Sequence, residues 1–134
     1  MADFKLLDRR ENGDAAGVRL AQRELAELGL LGYQTVHAIG EMLTPLEVEE
    51  MDALGRNAVR LNFSKMLSLG DAMLTVHLAA EHEGSWNGES LRVISDSEAY
   101  DEIMSLRDEP VALLVTGSSS RLADELIARI GAVS

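Results

Sequence analysis

Two hydrophobic periods alternate along the chain, and each change of period is marked by turn or capping residues. Phe4-Lys5-Leu6-Leu7-Asp8 reads as a first strand, stopped by the turn-forming run Arg9-Arg10-Glu11-Asn12-Gly13-Asp14. Val18, Ala21, Leu25 and Leu28 then recur at helical spacing, with Gly29 and Gly32 as the stop. Residues 33–39 form a second strand closed by Gly40. Thr44-Pro45-Leu46-Glu47 predicts the next helix start: threonine caps, proline takes the first helical position where its missing N–H costs nothing, and Glu47 stands three residues after the cap. Met51, Leu54, Ala58 and Leu61 supply that helix with one apolar face.

The alternation continues to the end. Phe63 to Leu69 is a third strand ended by Gly70-Asp71, and residues 72–83 return to helical spacing through Met73, Val76 and Ala80. Gly84-Ser85-Trp86-Asn87-Gly88 is a loop, with the tryptophan laid on the domain. Leu91 to Ile94 is a fourth strand, and Ser95-Asp96-Ser97-Glu98 a second capping box that opens a helix through Ile103 and Leu106. After Pro110, the unbroken apolar run Val111 to Val115 has the pattern of a strand covered on both faces. Gly117-Ser118-Ser119-Ser120 then turns into a final helix bearing Leu122, Leu126, Ile127 and Ile130. A parallel return needs a crossover, so strands alternating with amphipathic helices predict a Rossmann-like three-layer α-β-α fold. The expectation is one domain over residues 1–134, with a mainly parallel sheet of five or six strands and helices on both faces.

Composition narrows the classes of function. The chain has 134 residues, 12 basic against 23 acidic, hence a formal net charge of −11, and no cysteine. Cysteine absence removes disulfide frameworks, thiolate zinc sites and thiol nucleophiles together. Phosphate-backbone recognition needs a basic stripe, so no nucleic-acid partner is expected, and an anionic membrane surface is unattractive for the same reason. No window approaches the apolar length of a spanning helix, and the start carries no signal-type run, which makes a cytoplasmic location the default expectation.

In an open α/β sheet, ligands bind beyond the carboxyl ends of the strands, so the chemistry is sought in the loops that follow them. Thr116 to Ser120 is the best local anion site, because its glycine and serines offer backbone and hydroxyl donors at a helix start, although serines there also serve as plain caps. No phosphate-cradling Gly-x-x-x-x-Gly-Lys-Ser/Thr and no Gly-x-Gly-x-x-Gly opens a helix. His37 lies on a strand, and His77 and His82 are spaced poorly for a shared metal ion, with Glu81 and Glu83 reading as a solvated face. A phosphoacceptor receiver domain has the right length, but the arginines after Asp8 and Thr116 in place of its strand-end lysine count against it.

The same strand-end loops resemble the C-terminal domain of the Mur ligases, in particular the branch that joins D-alanyl-D-alanine to a UDP-N-acetylmuramoyl-tripeptide. Leu6 to Ala21 is similar to that family's L-I-D-D-S-Y-N-A-N-P-D-S-M-R-A-A, with the first Asp, the first Asn and the Arg in register. Ala38-Ile39-Gly40-Glu41-Met42-Leu43 resembles V-L-G-D-M-L, and Gly55-Arg56-Asn57-Ala58 parallels G-R-L-A. Leu113 to Leu122 looks like V-L-V-K-G-S-R-S-M-R-L-E with one residue deleted and Thr116 standing for the lysine. The resemblance spans about residues 6 to 130.

What the resemblance implies is one part of an ATP-dependent peptide ligase of peptidoglycan precursor synthesis, closing over a separate ATP-binding domain and inactive without it. ATP and Mg belong to the full-length enzyme, whose preceding ATP-binding and UDP-substrate domains are the implied partners. By position, Asn12 is the nucleotide-side contact and Asp8 braces its loop, while Asp14 and Ser118 complete the implied nucleotide- or substrate-binding set. No catalytic side chain and no metal ligand is assigned to this chain. Glu11, Asp14, Ala15 and Thr116 depart from the family pattern and motivate the alternative, a non-catalytic binding or regulatory module that kept the ligase-domain fold.

Overall fold

In the computed structural model, which describes residues 3–133, strands alternate with α-helices: β1 (Phe4–Asp8), α1 (Ala15–Leu30), β2 (Gln34–Ile39), α2 (Val48–Arg60), β3 (Lys65–Leu69), α3 (Leu74–His82, preceded by a 3-10 turn at Asp71–Met73), β4 (Glu89–Val93), α4 (Asp96–Met104), β5 (Val111–Thr116) and α5 (Arg121–Val133). The five strands form one parallel sheet in the order β1-β5-β2-β3-β4. This is the three-layer α/β architecture that the alternation predicts.

Handedness decides which helices cover which face. The crossovers β1-α1-β2, β2-α2-β3 and β3-α3-β4 all step the same way across the sheet, and right-handed connection puts their helices on one side. That side is packed by Val18 and Leu25 of α1, Leu54 of α2 and Val76 of α3 against Ile39, Met66 and Leu114. From β4 the chain steps back past β3 and β2 to β5, and the same handedness now sends α4 to the opposite side. There Ile103 of α4 and Leu126 of α5 pack on Val36, Leu67 and Leu113. Every residue of β5 is buried, which explains its unbroken apolar run: the last strand to be made occupies an interior position with a helix layer over each face. Fully burying one such aliphatic side chain contributes about 1.5–3 kcal/mol, so this strand anchors both cores.

The order of stepping reverses between β2 and β5, which are neighbours in the sheet. Their following helices leave toward opposite faces, and the loops after these two strands therefore flank the topological switch point.

Local expectations are corrected in several places. Thr44-Pro45 does not start α2; the capping box lies three residues later, where Glu47 is the N-cap and exchanges bonds with Glu50. The reason is tertiary: Met42 is buried and the Leu43 N–H is held by Ser118 Oγ at 3.0 Å, so residues 40–46 follow an irregular path across the switch point before a helix can form. Helix α1 runs through Gly29 and stops against Gly32, at φ +100°. Strand β3 begins at Lys65, because Phe63 instead caps α2, its N–H meeting Ala58 O at 2.9 Å, and fills the first core. At α4 the Ser95 hydroxyl accepts from the Glu98 N–H, but Glu98 reaches the N–H of Ile94 rather than that of Ser95. Trp86 lies partly buried on the domain, donating to Phe63 O at 2.9 Å.

Candidate functional site

The loops singled out by sequence gather along the carboxyl rim of the sheet. At the end of β1, Asp8 receives a two-pronged contact from Arg10: Nε and Nη2 donate to its two carboxyl oxygens, each at 2.8 Å. Arg10 also donates through Nη1 to Asp124 in the first turn of α5, at 2.8 Å, which ties the β1 loop to the opposite helix layer. The Arg10 guanidinium holds the Asp8 carboxyl below the usual carboxylate range, and Asp8 in turn raises Arg10. Arg9 is paired with Glu24 at 3.0 Å. Both cations nearest the loop are thus already engaged.

Asn12 and Asp14 serve the start of α1. The Asp14 carboxylate accepts from the Gly17 N–H at 2.7 Å as N-cap, and the Asn12 amide donates to Gly17 O at 3.0 Å. Ser118 lies on the other loop, where its hydroxyl accepts from the Leu43 N–H. The structure therefore sets Asp8, Asn12 and Asp14 around one loop and Ser118 across β5 on another, each with an intramolecular partner.

The switch point itself is stitched shut. Gly40 N–H donates to Thr116 O at 2.8 Å and Ser119 N–H to Glu41 O at 3.0 Å. Contact is close enough to require glycine on both sides. A Cβ on Gly40 would lie 2.3 Å from Ser120 Oγ, and one on Gly117, whose φ is +131°, would lie 2.8 Å from the Gly40 Cα. The candidate anion loop is consumed by these bonds and by its own cap, since Ser120 Oγ accepts from the Ala123 N–H at 3.0 Å. The strap that crosses the switch point, residues 40–47, carries Glu41 and Glu47 and holds Leu43 79% exposed.

Beneath the rim lies a buried polar chain whose connections span the sequence. His37, wholly buried on β2, places Nδ1 3.2 Å from Gln22 Nε2 and Nε2 3.0 Å from Thr116 Oγ1. Gln22, also wholly buried, donates through the same Nε2 to Leu54 O at 3.1 Å and accepts from Asn57 Nδ2 at 3.3 Å. The Leu54 carbonyl fixes the amide orientation, so Gln22 donates to Nδ1 and the imidazole is the neutral tautomer with its proton on Nε2, donating to Thr116. Burial pushes the His37 pKa from 6.5 down to about 3. Sequence reasoning saw His37 on a strand but missed this network. One available signal was a histidine in the middle of an otherwise apolar buried run; Gln22 had none, since it sits within a helix where polar residues alternate with apolar ones.

At the opposite, amino edge of the sheet a cavity of about 680 Å³ is lined by Tyr33, Gln34, Ser64, Lys65, Asn87 and Glu89, among others. It lies away from the strand-end loops, and much of its polar lining is already bonded. Ser64 Oγ donates to Gln34 Oε1 at 2.9 Å, and Lys65 Nζ donates to Glu102 and Ser105 at 2.7 and 2.8 Å. The carboxyl rim, where the chain's sequence features converge, is the better candidate.

Among the described residues no group of three or more His, Asp or Glu is arranged to hold a metal ion, and no helix is long and apolar enough to cross a membrane. Comparison with known proteins returns no family model, curated protein or solved structure that matches the chain.

Proposed function

We propose that the chain works as the C-terminal domain of a Mur-type amide ligase, presenting its carboxyl rim to an ATP-binding domain and to an incoming D-alanyl-D-alanine. One observation carries the reading: the three segments that resemble the family, far apart in sequence, meet at the carboxyl ends of three adjacent strands, β1, β5 and β2, where the β2 and β5 loops are bonded to each other and the β1 loop is bonded to the end of β5 and the first turn of α5. On this reading Asn12 and Ser118 contribute polar contacts, Asp8 and Asp14 brace the loops that carry them, and ATP and Mg are supplied with the partner domains in the cytoplasm. No phosphate loop is present in this chain, so the chemistry of acyl-phosphate formation belongs to the partner.

A second reading is favoured by a different observation, that Asp8, Asn12, Asp14 and Ser118 each already have a partner within the chain. Such a rim is that of a non-catalytic binding module. A titration of isotope-labelled protein with D-alanyl-D-alanine, followed by backbone amide shifts, separates the two. Under the ligase reading, shifts at millimolar dipeptide are confined to residues 9–14, 40–44 and 117–120, and the isolated chain hydrolyses no ATP. Absence of those shifts supports the non-catalytic module, and ATP turnover by the pure chain overturns both readings.

A further inference from the structure

We infer that His37 is a positioning residue that pins the switch-point strap closed, acting through Thr116. The connected path runs from Asn57 on α2 to Gln22 on α1, to His37 on β2, and to Thr116 at the end of β5. Thr116 is the joint between the buried chain and the rim: its hydroxyl receives the imidazole Nε2–H, and its carbonyl accepts the Gly40 N–H that begins the strap. Two more bonds complete the closure, Ser119 N–H to Glu41 O and Leu43 N–H to Ser118 Oγ.

Two physical arguments make this more than packing. A neutral hydrogen bond adds little net stability, because bonds to water are given up to make it, so an apolar core would hold the helices as well. What a fully satisfied buried polar chain supplies is direction: each member has one orientation in which its partners are met. Secondly, the strap is held at few points. Met42 is its one fully buried side chain, Leu46 packs partly buried on the same core and Leu43 lies 79% exposed, so a small number of hydrogen bonds decides whether it is open or shut. The Ser119 N–H, which the Glu41 carbonyl occupies, and the Ser118 hydroxyl, which the Leu43 N–H engages, are the groups that an acceptor-bearing ligand at this rim would use, and opening the strap frees them.

The inference rests on the proposed working face only for its purpose, and its test uses no ligand, so that failure here is distinguishable from failure of the ligase reading. Native-state amide exchange of the full chain is compared for wild type, His37→Phe, Thr116→Val and Thr116→Ser, with global stability of each measured by denaturant. Thr116→Val keeps shape while deleting the hydroxyl, and so preserves the test should His37→Phe fail to fold. The expected result is at least a tenfold loss of protection at the amides of Gly40, Leu43 and Ser119 in Thr116→Val, in excess of any change in global stability, with protection restored in Thr116→Ser. Nitrogen shifts of the imidazole report the proton on Nε2. Strap protection that moves only in step with global stability, or a proton found on Nδ1, overturns the inference.

Discussion

Acidification isolates the contribution of one buried side chain. His37 has a folded pKa of about 3 against 6.5 in the unfolded chain, because full burial disfavours the imidazolium and none of its hydrogen-bond partners is a carboxylate. The unfolded state therefore takes up a proton as pH falls through 6.5 while the native state does not, and stability drops progressively from there toward pH 3. At about 1.4 kcal/mol per unit of separation, the loss reaches roughly 2 kcal/mol by about pH 5 and roughly 3 kcal/mol by about pH 4. These are large fractions of the roughly 5–15 kcal/mol that a domain has in total. Asp8 and Asp96, both held below 3.8 by arginine partners, lose their contribution only at more acidic pH, which leaves the upper window to His37. The assay is urea unfolding followed by the fluorescence of Trp86, the chain's one tryptophan, at steps between about pH 7.5 and 4.5. Subtracting the same series for His37→Gln, which is neutral throughout, removes every other titrating group. The difference should grow by about 2 kcal/mol between neutral pH and about pH 5. Stability curves that stay parallel in the two proteins would refute the reasoning, since the imidazole would then carry the same proton in both states.

Two substitutions test the rim and the buried lysine. Gly117→Ala forces a side chain into φ +131° and 2.8 Å from the Gly40 Cα, and should destabilise by about 3 kcal/mol, seen as a lower denaturation midpoint at unchanged slope. Lys65→Met should leave thermal stability within about 1 kcal/mol of wild type, because the lysine side chain is 7% exposed while its partners Glu89 and Glu102, 54% and 34% exposed, regain water when it is removed. A loss of several kcal/mol for Lys65→Met would mean that the ion pair itself holds α4 to β3.

The elements were legible because their signals are local. The apolar run of β5, the turn residues after β1, the serine cap of α4 and the glycine punctuation each act over a few residues, and the elements fall where those signals stand, within a few residues at their ends. The start of α2 was not legible for the complementary reason. Thr44-Pro45 satisfies every local rule for a cap, yet the bond from Leu43 N–H to Ser118, 75 residues on, keeps that stretch out of the helix and hands the cap to Glu47. Of the candidate site, the carboxyl loops were readable as loops, with Asn12, Asp14 and Ser118 on them and Asp8 ending the strand before the first; what each side chain bonds to was not readable.

By itself, then, the chain's pattern determined the alternation of strands and helices, the parallel sheet that helical crossovers produce, and the acidic, cysteine-free chemistry available to it. Tertiary structure decided that β5 inserts between β1 and β2, and with that insertion came the switch point, the Gly40–Gly117 contact and the meeting of His37 with Thr116, 79 residues apart. The division follows from range. Periodicity, caps and turns are energies of neighbours along the chain, whereas strand order is chosen by the burial of two whole helix layers at once, and the hydrogen-bond partners of a buried polar group exist only after that choice is made.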